Sequence, residues 1–364
     1  MYNVLILNGV GTKSIATIKM LEELEERSKK NITELFDYVA ATSTTGVIAS
    51  FLTTPNADGK QKYSVKEIRE MLWGNNSNKG ILQNVFSHDN RYSYFKHWYY
   101  GFKYTEDALT PLLNEIGSEH KLSDTVIPLN IVATSTSDLE IVSLSTFAAN
   151  KDSRKDYKIS DITKVTLAKP GYFKEAELMD GSSKKYYIDG SSTAPNVIFK
   201  VLQDIKTYYK NIDYKDINVV FVGVGRLKFN SKIETKKWDL NKIKSFITDN
   251  EADEWMYNFQ LTCSELKQLK ILGSVSCLLQ IDNIVDPEFD RCKKKDFDKI
   301  VEGIKTFIQN IEDNSPRDEI GELITFLENK NATEVHLDKL TQELDDLLNL
   351  LNITQIKEMV SDQV

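Results

Sequence analysis

The chain has 364 residues and a formal net charge of −8, with 54 Asp and Glu against 46 Lys and Arg. At 41% hydrophobic it can bury a large core, and its acidic balance excludes bulk binding to a nucleic-acid backbone. No stretch approaches the ~20 apolar residues of a membrane span. No basic and then apolar leader opens the chain, so a cytoplasmic protein with scope for peripheral membrane contact is expected, although a chain whose leader had been removed would read the same way. The cysteines Cys263, Cys277 and Cys292 are odd in number and lack C-x-x-C spacing, which argues against a metal cage or disulfide framework. No metal or other cofactor is expected.

In chain order, residues 2–7 form a short β-rich run that predicts a central strand. Asn8-Gly9-Val10-Gly11-Thr12-Lys13-Ser14 follows, and then a helix to about residue 30 with Ile15, Ile18 and Leu21 on its apolar face. A Gly-x-Gly loop in this position is a tight turn, a dinucleotide loop or a nest of backbone N–H groups for an anion. The dinucleotide reading lacks its third glycine, Ser14 standing there, and lacks the acidic residue after a second strand. Residues 36–52, FDYVAATSTTGVIASFL, read as a strand, a sharp turn around Ser43 and a helix. That is either a plain helix N-cap or a nucleophile elbow, in which the serine hydroxyl is lifted out of the sheet toward a helix N-terminus. A helix follows at 64–73 and a polar turn at 74–80, then residues 85–104, dense in aromatics. These rings are a packed lid, a membrane-interface belt or, least in keeping with the charge, a base-stacking surface. A helix is expected at about 105–116 and central strands at 126–133, 139–144 and 219–224. Residues 184–191, KKYYIDGS, form a β-rich run ending in an Asp-Gly turn. From about residue 236 the pattern is helical, with Leu337, Leu340, Leu344, Leu347, Leu348 and Leu351 on one helix face. Lys293, Lys294 and Lys295 are either solvated surface or a contact for anionic lipid. Alternating strands and helices mark an α/β sheet covered on both faces.

The three motifs, in this order, resemble the patatin-like phospholipase family. Residues 8–14 stand where the family has D-G-G-G-x-R/K-G, residues 41–46 (ATSTTG) where it has G-T-S-T-G-G, and residues 189–191 (DGS) where it has D-G-G/A. Between them, residues 162–173 (ITKVTLAKPGYF) are similar to its I-x-x-A-T-S-A-A-P-T-Y-F. The resemblance extends over about residues 1–226. It implies a mostly parallel central sheet with helices on both faces over residues 1–230, and the helical pattern beyond predicts a mainly helical extension over 231–364 packed on that core. It further implies a serine–aspartate dyad without histidine: Ser43 as nucleophile and Asp189 as its base. Gly9, Val10 and Gly11 would supply the oxyanion hole, with Lys13, Gly46 and Gly190 supporting the motifs. The chain's four histidines, His88, His97, His120 and His336, lie in none of these motifs. The implied activity is hydrolysis of glycerolipid acyl esters, with a phospholipid or galactolipid substrate at a membrane or micelle surface. The departures point the other way. Asn8, Val10 and Ser14 replace family residues in the first motif, and Ala41 and Thr45 replace both elbow glycines. A β-branched threonine is costly where φ must be positive. The alternative is therefore a weak or inactive patatin fold used for lipid binding, storage or protein interaction.

Overall fold

The computed structural model describes residues 1–7, 11–75, 78–86, 102, 104–117, 119–193, 197–222, 274–278 and 319–328. Eight strands, β1 (Tyr2–Leu7), β2 (Tyr38–Ala41), β3 (Leu129–Ser135), β4 (Glu140–Ser145), β5 (Ala176–Asp180), β6 (Ser183–Asp189), β7 (Ile217–Val222) and β8 (Ser274–Leu278), form one sheet. The pairings β1–β2, β1–β7, β2–β3 and β7–β8 are parallel, and β3–β4, β3–β6 and β5–β6 are antiparallel. The sheet is thus mixed, with its parallel part where the first two motifs lie.

The described helices are α1 (Ile15–Ser28), α2 (Ile32–Leu35), α3 (Ser43–Thr53), α4 (Val65–Trp73), α5 (Ile81–Phe86), α6 (Thr110–Ile116), α7 (Thr146–Lys151), α8 (Ile159–Leu167), α9 (Ile198–Tyr208) and α10 (Glu319–Glu328). They cover both faces of the sheet. Leu5, Leu7, Val39, Ala41, Ile131 and Val220 pack under α1, α3, α4 and α8. Their strand neighbours Val4, Ile6, Tyr38, Ala40, Val132, Val219 and Phe221 pack under α9 and Phe147 of α7. Burial on both faces explains why the parallel strands read as continuous apolar runs rather than as alternation. Every residue of α3 is buried, so it is a core helix with no wet face.

Strand β3 determines where the site forms. One of its edges is occupied by β4 from Asn130↔Ser145 to Ser135↔Glu140. The other edge is divided. Its first half, Leu129 to Ile131, pairs with Val39 to Ala41 of β2, and its second half, Ala133 to Ser135, pairs with Asp189 to Tyr187 of β6. The strands β2 and β6 therefore run toward each other along one line. Both 126–133 and 139–144 read as central strands; β3 is central, but β4 pairs only with β3 among the described residues. Its first four residues are exposed or partly exposed, and only Leu144 and Ser145 are buried.

The described part of 231–364 consists of β8, which adds a parallel strand beside β7, and α10. Its β8 stretch, SVSCL, lies in the part of the chain whose pattern reads as helical. The leucine-rich pattern at 337–351, Lys293–295, Cys263, Cys292 and most of the aromatic stretch at 85–104 lie outside the described residues. At the end of the sheet away from the motifs, buried Asn3 donates through Nδ2 to Leu35 O and Leu327 O, each at 3.1 Å. Its Oδ1 accepts from Asn218 Nδ2 at 3.0 Å. One amide thus ties β1, β7, α2 and α10 together. Asn3→Ala leaves these groups buried and short of a partner, so a loss of about 2–4 kcal/mol in denaturant unfolding is expected. Faster hydrogen exchange in α10 than in α3 should accompany it.

Candidate active site

Strand β2 ends at Ala41, Thr42 is extended at φ −135° and ψ 159°, and Ser43 begins α3. Ser43 has φ +53°. A non-glycine residue in the left-handed region costs about 1–2 kcal/mol, and such strain persists only where the surroundings enforce it. They do so here. Thr166 Oγ1 on α8 donates to Ser43 O at 2.8 Å, and Gly46 N donates to Thr42 O at 3.3 Å. The strand, strained serine and helix are the turn read at 36–52.

The expected crowding at Thr45 does not occur. The left-handed residue of the turn is Ser43, and Thr45 lies inside α3 with its hydroxyl directed at two carbonyls, Leu7 O at 2.9 Å and Thr42 O at 2.8 Å. Thr45 therefore fastens the end of β1 to the turn. Ala41 sits in β2 between Leu7 and Ile131 without exposure. At Gly46 a Cβ would overlap the Thr166 hydroxyl and methyl group, so the glycine lets α3 and α8 approach and keeps Thr166 on Ser43 O.

Asp189 is the last residue of β6, paired with Ala133. Ala41 pairs with Ile131, so Ser43, two residues beyond, reaches the level of Ala133 and Asp189. The Ser43 side chain is among the groups that act on the Asp189 carboxyl. Ser43 is 2% exposed and Asp189 0%. Asp189 Oδ1 accepts from Ser191 N at 3.0 Å and Oδ2 from Ser191 Oγ at 2.7 Å. Its backbone N–H donates to Ala168 O at 3.1 Å. Burial holds the Asp189 carboxyl above its ordinary range, opposed first by the charge of Lys169 and then by the hydrogen bonds from Ser191 and Ser43. A Cβ on Gly190 would strike the Val132 carbonyl, so glycine is needed where the chain crosses β3.

Gly9 and Val10, with Asn8, lie outside the described residues, so two of the three expected oxyanion donors do too. Gly11 follows with φ +50° and begins a 3₁₀ turn, Gly11–Ser14, that includes Lys13. The loop thus leaves the end of β1, beside the end of β2. His120 lies elsewhere, 3.6 Å from Glu119, and the other three histidines are not described. Sequence reasoning missed the roles of Ser191, Thr166 and Lys169. An Asp two residues before a serine, with a glycine between, is a signal for an Asx-type turn, and Thr166 falls on the threonine of the segment quoted above for 162–173. Lys169 departs from that segment and carried no signal.

Fold and site define an α/β protein with a strained serine between strand and helix facing a buried carboxylate. A model of the family "Patatin-like phospholipase" matches residues 5–201, and the chain belongs to that family. It is 24% identical over 257 residues to Patatin-like protein 4 of Arabidopsis thaliana, covering 66% of this chain and 60% of that one. It is 24% identical over 270 residues to Patatin-07 of Solanum tuberosum, with 65% of each chain covered. The chain thus spans under two thirds of the length of these relatives. Among solved structures, VipD from Legionella pneumophila aligns over 99% of this chain and 79% of its own at 14% identity, with a TM-score of 0.34.

Thr45→Gly tests the reassigned threonine. It should give no gain in esterase rate and a loss of about 1–3 kcal/mol in thermal or denaturant unfolding, from helix propensity and two unanswered carbonyls. A faster enzyme would return the strain to Thr45.

Proposed function

We propose that the protein is a serine acyl hydrolase of glycerolipids, of phospholipase A or lysophospholipase type, working through Ser43 and Asp189 without histidine. The observations that carry this reading are a serine held at φ +53° and, at the same level of the sheet, a buried carboxylate on which that serine acts. Asp189 accepts the Ser43 proton as Oγ attacks the ester carbonyl. The tetrahedral intermediate collapses with return of the proton to the departing alcohol, leaving an acyl group on Ser43. Water then attacks the acyl carbon, Asp189 takes its proton, and the fatty acid leaves as the proton returns to Ser43. The backbone N–H groups of 9–11 and the N-terminus of α3 would stabilise the oxyanion, one such donor being worth about 3–4 kcal/mol of barrier. The substrate is a phospholipid or galactolipid presented at a membrane or micelle surface. No helix among the described residues is long and apolar enough to cross a membrane. The competing reading, an inactive fold, rested on the departures at Asn8, Val10, Ser14, Ala41 and Thr45; of these, Ala41 and Thr45 fit without a left-handed backbone.

Labelling with a serine-reactive fluorophosphonate, wild type beside Ser43→Ala, is the direct test. Label on the wild type alone is expected, and absence of label on the folded wild type would overturn the proposal. Asp189→Asn should lower hydrolysis by roughly 10²–10⁴-fold.

The pH profile gives an independent check. Ionised Asp189 is the active form, and burial raises its pKa, so the acid limb of kcat/KM should lie above the ~3.9 of an ordinary aspartate. The charge of Lys169 favours the ionised form, so Lys169→Met should shift that limb to higher pH. An unmoved limb would detach Lys169 from the base.

A further inference from the structure

On the sheet face opposite α3, a cleft of about 490 Å³ opens between α7 and α9. Lys151, Lys155 and Lys200 line it, and none of the three enters a salt bridge among the described residues. The two carboxylates in its wall are already engaged. Asp204 accepts from Tyr38 OH at 2.6 Å and Ser145 Oγ at 2.8 Å, and Asp152 is held by Arg154 at 2.7 Å. Three lysines facing one cleft of an acidic chain, with the nearby carboxylates turned to other partners, make a local site for an anion.

The surroundings indicate what carries that anion. Phe147 and Tyr208 stack in the cleft wall, 4.1 Å between centroids and 5° between planes. Six large apolar side chains are exposed among the described residues, and three of them belong to α9 and its end: Phe199 at 55%, Tyr208 at 43% and Tyr209 at 41%. Tyr208 lines the cleft with Lys200, and Lys210 follows Tyr209; Phe199, nine residues before Tyr208, leaves α9 on the opposite flank. Exposed aromatic rings interleaved with lysines match the two zones of an anionic bilayer surface, rings at the interfacial depth and ammonium groups among the phosphates. A soluble anion would use the lysines and leave the rings in water.

We propose that the α7–α9 cleft seats the phosphate headgroup of an anionic phospholipid in a bilayer, with Tyr208 of the cleft wall and the adjoining Tyr209 lying in the interface, so that this face docks the protein on its membrane. The choice of lipid over a soluble anion rests partly on the hydrolase reading above, but the site does not use Ser43.

Co-sedimentation with phosphatidylcholine vesicles, with and without 30% phosphatidylglycerol, tests the proposal on the full chain. Binding to the anionic vesicles alone is expected. Lys151→Ala/Lys155→Ala/Lys200→Ala should weaken it by roughly a hundredfold, about fivefold per lysine, while hydrolysis of a water-soluble ester stays unchanged. A control with the same loss of charge elsewhere, Lys60→Ala/Lys66→Ala/Lys174→Ala, should bind within a few fold of wild type, and Tyr208→Ser should weaken binding without altering net charge. Ser43→Ala should bind like wild type, which separates failure of this site from failure of the catalytic reading. Equal binding to neutral and anionic vesicles would overturn the proposal, as would equal loss in the two triple variants. So would protection of the three lysines from acylation by inorganic phosphate without vesicle binding, which would assign the cleft to a soluble anion.

Discussion

The shared edge of β3 is the constraint on which the rest of the site depends. Because β4 fills one edge completely, β2 and β6 must both pair on the other, arriving from opposite directions. Strand registers come in whole residues, so the two chain ends are brought together by backbone hydrogen bonds that involve neither reactive side chain. Ser43 and Asp189 come from positions 146 apart in the chain, yet their relative height is settled by two short ladders on one strand. A site mounted this way is held by the stiffest part of the fold, as preorganised chemistry requires.

Strain and burial at the site are sustained by neighbours of ordinary type. The left-handed Ser43 is held by the hydroxyl of Thr166, by Gly46 and by the bond from Thr45 to the turn. Asp189 has both oxygens oriented by Ser191, so one residue two places on fixes the carboxylate while Ser43 approaches it. Burial pushes the carboxyl toward neutrality and Lys169 pushes it back. Burial is the larger of the two effects, so the carboxyl stands above its ordinary range.

The two faces of the sheet carry different tasks. The face under α3 and α8 builds the strained turn from tightly packed small residues. The face under α9 carries aromatic rings and lysines at its surface. Helix α9 begins nine residues after Asp189 and ends near Tyr2, where Tyr209 packs against its ring at 5.7 Å. It therefore runs the length of the sheet from the site end, and one helix links the reactive carboxylate to the exposed aromatic surface.

Much of this was legible in the sequence. The apolar runs at 2–7 and 219–224 announce buried strands, because a strand covered on both faces needs no polar alternation. The A-T-S-T-T-G stretch announces a strand–turn–helix around a serine, and Asp189-Gly190 announces a turn. These signals are local, being set by backbone propensity and by which side chains tolerate burial. What the residues could not disclose by themselves is nonlocal. Thr45 read as an obstacle because its partner, Leu7 O, lies 38 residues away. Lys169 carried no motif because its effect on Asp189 passes through space. The strand at 274–278 was hidden because its pairing with β7, rather than its own composition, makes it a strand. The sequence by itself determined most of the elements and marked Ser43 and Asp189 as the candidate reactive residues. Only the tertiary structure decided that β2 and β6 share an edge of β3, because register between distant strands is a property of the assembled sheet and of no single segment.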